Sequence, residues 1–276
     1  MSLLNATRSE LTKQFSTSMW WILALVLVVY VGMTAGGLAG FFGALSSGGI
    51  PTEGLNTPAI PGEMLPPLIY SLATAVGYIF PLLIGTLLVT NEFRHKTLTP
   101  TFLATPRRGL ALTGKVLAGI AMGAVYGVLA LVATVGPGAG LLAVFGVDAE
   151  LGSLDTWAML GRIVIAFVVW VLVGIGIGTL VRNQVGAVVG VIAFTQFVEP
   201  ILRTVGGFVE GVGDATRFLP GAASDALVGS SIYSTLGSAA GGATTLEWWV
   251  GGLVLLGYAV VLLVLGGLLS WRRDVA

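Results

Sequence analysis

The chain has 276 residues, 55% of them hydrophobic and only 9% charged, with no formal net charge and a mean hydropathy of +0.96. A soluble domain carries about a quarter charged residues, so this chain cannot cover itself with polar surface, and lipid is its expected solvent. It contains no cysteine, which excludes disulfides, thiolate metal sites and cysteine nucleophiles.

The first residues, 1–18, read MSLLNATRSELTKQFSTS. On a helix Leu4, Leu11 and Phe15 share one face, and Ser9, Lys13 and Ser16 lie away from it, the pattern of an interfacial helix lying on a membrane surface. The apolar run that follows, 20–42, is too long for the core of a cleaved signal, which is about 7–15 residues. It holds Gly32, Gly36 and Gly40 at four-residue spacing, a face that lets two helices approach closely. That face fits a contact with a second copy of the chain or packing within one bundle; Gly174 and Gly178, and Gly186 and Gly190, repeat the spacing.

A second run covers 68–90, and a loop at 91–110 follows. The loop carries the lone histidine, His95, which without neighbouring Cys or carboxylates is a poor metal ligand. Pro100 and Pro106 bracket TFLAT, so a turn or two of helix is expected around 98–104, with Phe102 and Leu103 presented outward. Gly109, Gly114 and Lys115 imitate a phosphate-binding loop, but Val116 stands where a magnesium-holding hydroxyl is needed, and no strand precedes. Nucleotide binding is therefore not expected here, and Lys115 reads as an interface anchor that snorkels to lipid phosphates. No catalytic constellation and no metal site is evident.

The third run begins at 112 and ends between 135 and 145, and the fourth covers 157–181. The fifth, 185–205, contains FVEPILR, with Glu199 and Arg203 at the spacing of a helical ion pair and Pro200 placed to kink the helix. Counted from Val185, Glu199 lies roughly 20 Å along the helix, past the membrane midplane. Ionisable groups at that depth face a cavity or a partner, so Glu199, Pro200 and Arg203 read as an outer gate or a structural ion pair, with Arg162 as a second candidate partner. A segment at 206–246 precedes the last run, 250–269.

Six runs, each long enough to cross a bilayer at about 20 residues per span, make this an all-α polytopic membrane protein with one membrane domain. With the N-terminus inside the cell, ten of the thirteen Lys and Arg fall inside: Arg8, Lys13, Arg94, Lys96, Arg107, Arg108, Lys115, Arg182, Arg272 and Arg273. The loops 43–66 and 146–156 have none. The positive-inside rule thus predicts both termini in the cytoplasm.

The stretch EFRHKTLTPTFLATPRRGLALTGKVLAG resembles the loop after the second span in permeases of type-2 ABC exporters, through Glu92, Arg94, Thr97, Pro106, Arg107 and Lys115. ATRSELTKQFSTSMWWILAL, with Glu10 and Lys13, and FLPGAASDAL are similar to further parts of that family. The resemblance implies a bacterial plasma-membrane permease that binds no cofactor itself. Two copies pair with two ATP-binding subunits, which hold ATP and magnesium. The helix in the loop would be the coupling helix, docking through Glu92, Arg94, Thr97, Leu98, Phe102, Leu103, Pro106 and Arg107. The cargo is expected to be amphipathic or lipid-like, the other partner is membrane lipid, and no nucleic acid is expected. A stand-alone channel or ion-coupled carrier and a membrane scaffold are the competing classes. A carrier should show inverted repeats and charges near the midplane, and a scaffold would not need a docking loop.

Overall fold

The computed structural model describes residues 2–49, 61–104, 107–208, 212–231, 235 and 246–271. Pro106, Arg272, Arg273 and part of 206–246 lie outside them. Every regular element among the described residues is helical. The helices are α1 (Leu3–Ser16), α2 (Met19–Ser46), α3 (Leu65–Ala75), α4 (Ile79–Arg94), α5 (Leu98–Ala104), α6 (Arg108–Val144), α7 (Leu154–Leu180), α8 (Gln184–Ala193), α9 (Glu199–Phe208), α10 (Val212–Thr216), α11 (Pro220–Val228) and α12 (Trp248–Gly266). Six helical stretches are long and apolar enough to cross a membrane: Met19–Ser46, Gly62–Arg94, Arg108–Val144, Leu154–Leu180, Gln184–Gly206 and Trp248–Leu269. The chain is a multi-pass membrane protein.

Two of these spans are interrupted, the second where the sequence suggests one helix and the fifth just before the kink expected at Pro200. The second breaks between α3 and α4 at 76–78, where Gly77 presses on the Ala73 carbonyl so closely that a Cβ would sit 2.1 Å from its oxygen. The fifth passes from α8 through a π-helical turn, Phe194–Val198, into α9. Pro200 lies just inside α9, where its missing N–H costs no helix bond, so the π turn rather than a sharp break absorbs the irregularity. Both interruptions meet, since the Tyr78 hydroxyl donates to the Thr195 carbonyl of the π turn at 3.0 Å. Tyr78 also lies against Trp170 of α7, ring centroids 4.7 Å apart, and the Trp170 indole N–H donates to Ser224 of α11 at 3.0 Å.

Glycine decides which helices touch. Gly119, Gly123 and Gly127 of α6 lie against Ile175, Val168 and Val164 of α7, with Val168 Cα 2.6 Å from where a Cβ at 123 would stand. Gly85 of α4 and Gly174 of α7 face each other, each backed by a carbonyl of the opposite helix. At Gly85, Gly123 and Gly174 the contact excludes any side chain, because the neighbour is backbone and cannot turn aside. In lipid, where apolar side chains gain little by leaving the solvent, this close packing is what holds helices together. Gly32 and Gly36 of α2 face Ala133, Pro137 and Leu141 of α6 in the same chain, and Gly40 lies near Leu141. Of the two contacts their spacing suggested, the one within the bundle is occupied.

α1 lies across the first turns of α6, with Ala6 against Gly114. Ala6 and Glu10 are buried, while Leu4 and Phe15 are exposed. The last residues of the sixth span return to the same end of the bundle, where Gly267 lies beside Leu112. We refer to this end, which carries α5 and the exposed Arg94, Lys96 and Arg107, as the basic end.

The glycine contacts generate a stability test. Gly174→Ala places a methyl against backbone and should destabilise the protein by about 1–3 kcal/mol. Gly190→Ala, which meets nothing within 4 Å, should be neutral or slightly stabilising. Thermal melting in detergent reports both, and equal effects would contradict the packing described.

Candidate functional site

At the basic end four charged side chains from three elements close into a ring. Lys13 of α1 bonds Glu10 at 2.7 Å and Glu92 of α4 at 3.0 Å. Lys115 of α6 bonds Glu10 at 2.6 Å and Glu92 at 2.9 Å. Each carboxylate thus holds both ammoniums, and each ammonium both carboxylates. Lys115 is fully buried, Glu10 is 4% and Glu92 6% exposed, and only Lys13 reaches solvent. Lys115 does not snorkel to lipid, as its position at a span end suggested. It neutralises two carboxylates that burial would otherwise penalise. One atom stays out of the scheme: Glu92 Oε2 is buried with no hydrogen-bond partner among the described residues.

Local sequence explains the placement. Ser2 caps α1 by accepting from the Asn5 amide, and the three-residue spacing of Glu10 and Lys13 puts both on one face. Gly114, next to Lys115, gives α1 the room to lie close enough for Glu10 to reach. Burial works to raise the Glu10 carboxyl, but the Lys115 charge and the bonds from Lys115 and Lys13 outweigh it and hold Glu10 below the usual carboxylate range. Burial works to lower the Lys13 ammonium, but the Glu10 bond and the charges of Glu92 and Glu10 leave it raised.

The ring staples the base of the loop that carries α5. From Glu92 the chain turns through Lys96, in the left-handed region at φ 54°, runs through α5 and returns along α6 to Lys115. Arg94 donates to Gln184 at the start of α8 at 3.4 Å, and Gln184 donates to Asn91 at 2.9 Å, which ties the fifth span to the same place. Within the loop, Leu98 is buried and Phe102 is half-buried against the core with the Arg108 guanidinium 5.1 Å from its ring centre. Leu103 is 78% exposed, and Thr97 and Arg107 are exposed. Of the expected docking residues, then, Glu92, Leu98 and Phe102 are turned inward, and Leu103, Thr97, Arg94 and Arg107 face outward.

At the opposite end the proposed Glu199–Arg203 partnership is rearranged. Glu199 accepts from the backbone amides of Gly221 at 2.6 Å and Ala222 at 3.2 Å, at the start of α11. Arg203 pairs with Asp225 of α11 at 2.5 Å. The helix start competes better for Glu199 than a side chain one turn away. Arg162 is also placed elsewhere, 5.5 Å from the Trp248 ring centre and donating to the Ala158 carbonyl. The sequence reading missed Asp225. Its signal lay in the spacing, since Gly221 and Asp225 stand four apart, as Glu199 and Arg203 do.

Compared with known proteins, the chain matches no family model, and no curated protein matches it. Among the described residues no group of three or more His, Cys, Asp and Glu is close enough to hold a metal ion.

Removing Lys115 leaves two buried carboxylates sharing Lys13 alone, with one negative charge uncompensated. Lys115→Met should therefore cost about 3–5 kcal/mol, read from melting in detergent. Glu10 lies below its ordinary 4.5, so its contribution is present above that pH and is lost as pH falls through the folded value. Lys13 lies above its ordinary 10.5, so its contribution is present below that pH and is lost above it. Wild type and Glu10→Gln should accordingly differ most on the plateau between these values and converge under acid. A gap that stays constant through acid would show that Glu10 is not held ionised.

Proposed function

We propose that this chain is the membrane-spanning permease subunit of an ATP-driven exporter, of the type-2 ABC class that its sequence resembles. The observation that supports this reading best is α5. It is a short helix outside the spans, presenting Leu103 amid Arg94, Lys96 and Arg107, with its base fastened by a buried ring of charge. A permease that leaves nucleotide binding to a partner needs a docking surface to draw on ATP, and such surfaces combine an apolar anchor with a charged rim. Leu103 is that anchor. Phe102 is already engaged with the core and Arg108, and it supports α5 from below. The complementary cleft on the ATPase has an apolar slot and an acidic edge.

In this reading the basic end faces the bacterial cytoplasm, in line with the positive-inside rule. Two ATPase subunits hold ATP and magnesium and close on each other, and each moves one α5. Because the ring joins α1, α4 and α6, that motion reaches three helices at once. A second copy of the chain completes the pathway, and an amphipathic or lipid-like cargo suits spans so poor in polar groups.

Purification of tagged protein from its host in mild detergent, with mass spectrometry, tests the reading. Wild type should bring down a soluble ATPase in stoichiometric amount. Leu103→Asp should abolish that without lowering the permease's own melting temperature, whereas Phe102→Asp should lower both. An ATPase retained by Leu103→Asp, or absent from wild type, would overturn the coupling-helix assignment.

A further inference from the structure

α9 and α11 are joined by two rungs. Glu199 meets the amides of Gly221 and Ala222, and one turn further along both helices Arg203 meets Asp225. Each rung spans 22 residues, so the two helices run side by side in the same direction. The first rung settles the backbone accounting at the start of α11. Pro220 has no N–H, Gly221 and Ala222 have no carbonyl one turn back to bond, and both are served by one oxygen, Glu199 Oε1. The other oxygen, Glu199 Oε2, is buried without a hydrogen-bond partner among the described residues, and the residue is 1% exposed. A Cβ at position 221 would lie 2.5 Å from Oε1 and 3.0 Å from Oε2, so the carboxylate sits hard against the glycine.

We propose that Glu199 is a proton-binding latch: ionised, it holds the start of α11 on the fifth span, and protonated, it lets that end go. A carboxylate on two helix-start amides gains from its charge, both through the strength of the bonds and through the positive end of the helix dipole. A proton on Oε2 removes that charge and leaves an ordinary carbonyl as acceptor. The proton is the ligand because Oε2 is the free acceptor and the closeness of Gly221 leaves little space for a larger cation.

The charged groups around the latch bear on it in both directions. Arg203 favours the ionised form and Asp225 opposes it, while on the α10 side Asp214 and Arg217 pair with each other at 3.4 Å. The second rung stays closed when the first opens, so α11 would swing about Asp225 rather than detach. The π turn before Glu199 supplies the neighbouring flexible point. This inference rests on the α9–α11 geometry and is independent of the exporter reading.

Hydrogen exchange of the intact protein in detergent tests it, with rates corrected for the intrinsic effect of pH. In wild type the amides of α11 should exchange about tenfold faster after acidification, with a single-proton transition, while α7 stays unchanged. Glu199→Gln keeps the acceptor without the charge, so its α11 should exchange fast at every pH with no transition. A wild type without a transition would overturn the proposal. So would a Glu199→Gln protein that keeps the wild-type transition. Should Glu199→Gln fail to fold, Glu199→Asp serves instead. Its shorter carboxylate should move the transition midpoint, and an unmoved midpoint counts against the latch.

Discussion

A chain dissolved in hydrocarbon has no water to rescue a charge or an open peptide group, and each must find its partner within the protein. That constraint shapes every unusual feature of this fold. At the basic end it pulls two lysines and two glutamates from three helices into one ring. At the other end it brings the start of a short helix onto a carboxylate 22 residues earlier. Where the fifth span loosens into a π turn, a tyrosine from the broken second span takes up a carbonyl. These are three solutions to one problem, and each links elements that apolar contact alone would leave free to slide.

The rest of the packing is done by absence of side chains. α4, α6 and α7 approach to backbone contact through glycines on facing sides. Interfaces of this kind tolerate little relative motion, because no side chain can rotate to accommodate it. α8 and α12 are less enclosed, with Val185, Val189, Leu253 and Val260 outward. α12 nonetheless joins the tightly packed set, since Gly176 of α7 lies against its backbone at Leu262 and Leu263. Polar ties add to these contacts: Asn91 of α4 to Gln184 of α8 at one end, and Trp170 of α7 to Ser224 of α11 at the other.

Much of this was legible in the sequence, and what was not failed for identifiable reasons. Six apolar runs predict six spans because length and hydrophobicity settle the matter locally. The helix at Leu98–Ala104 agrees with the expectation drawn from Pro100, which stands in its first turn, where a proline costs no helix bond. The break at 76–78 has no such marker, since one glycine in an apolar run looks like any other among 41. Lys115 misled because a lysine at a span end has the same sequence signature whether it faces lipid phosphates or carboxylates from distant parts of the chain. Glu199 and Arg203 misled because the i, i+4 rule describes an isolated helix, and a helix start from elsewhere in the fold outcompetes it. For Lys115 and Glu199 the deciding partner lies 22 or more residues away, beyond the range of a local pattern.

The ring at the basic end has an electrical consequence. Two ammoniums and two carboxylates sum to zero, so the unit carries no gating charge. Displacing an elementary charge through the whole membrane field costs about 2.3 kcal/mol per 100 mV. A neutral ring can shift along the membrane normal with α1, α4 and α6 and do almost no work against that field. The ring itself thus adds no voltage dependence to a common motion of these three helices.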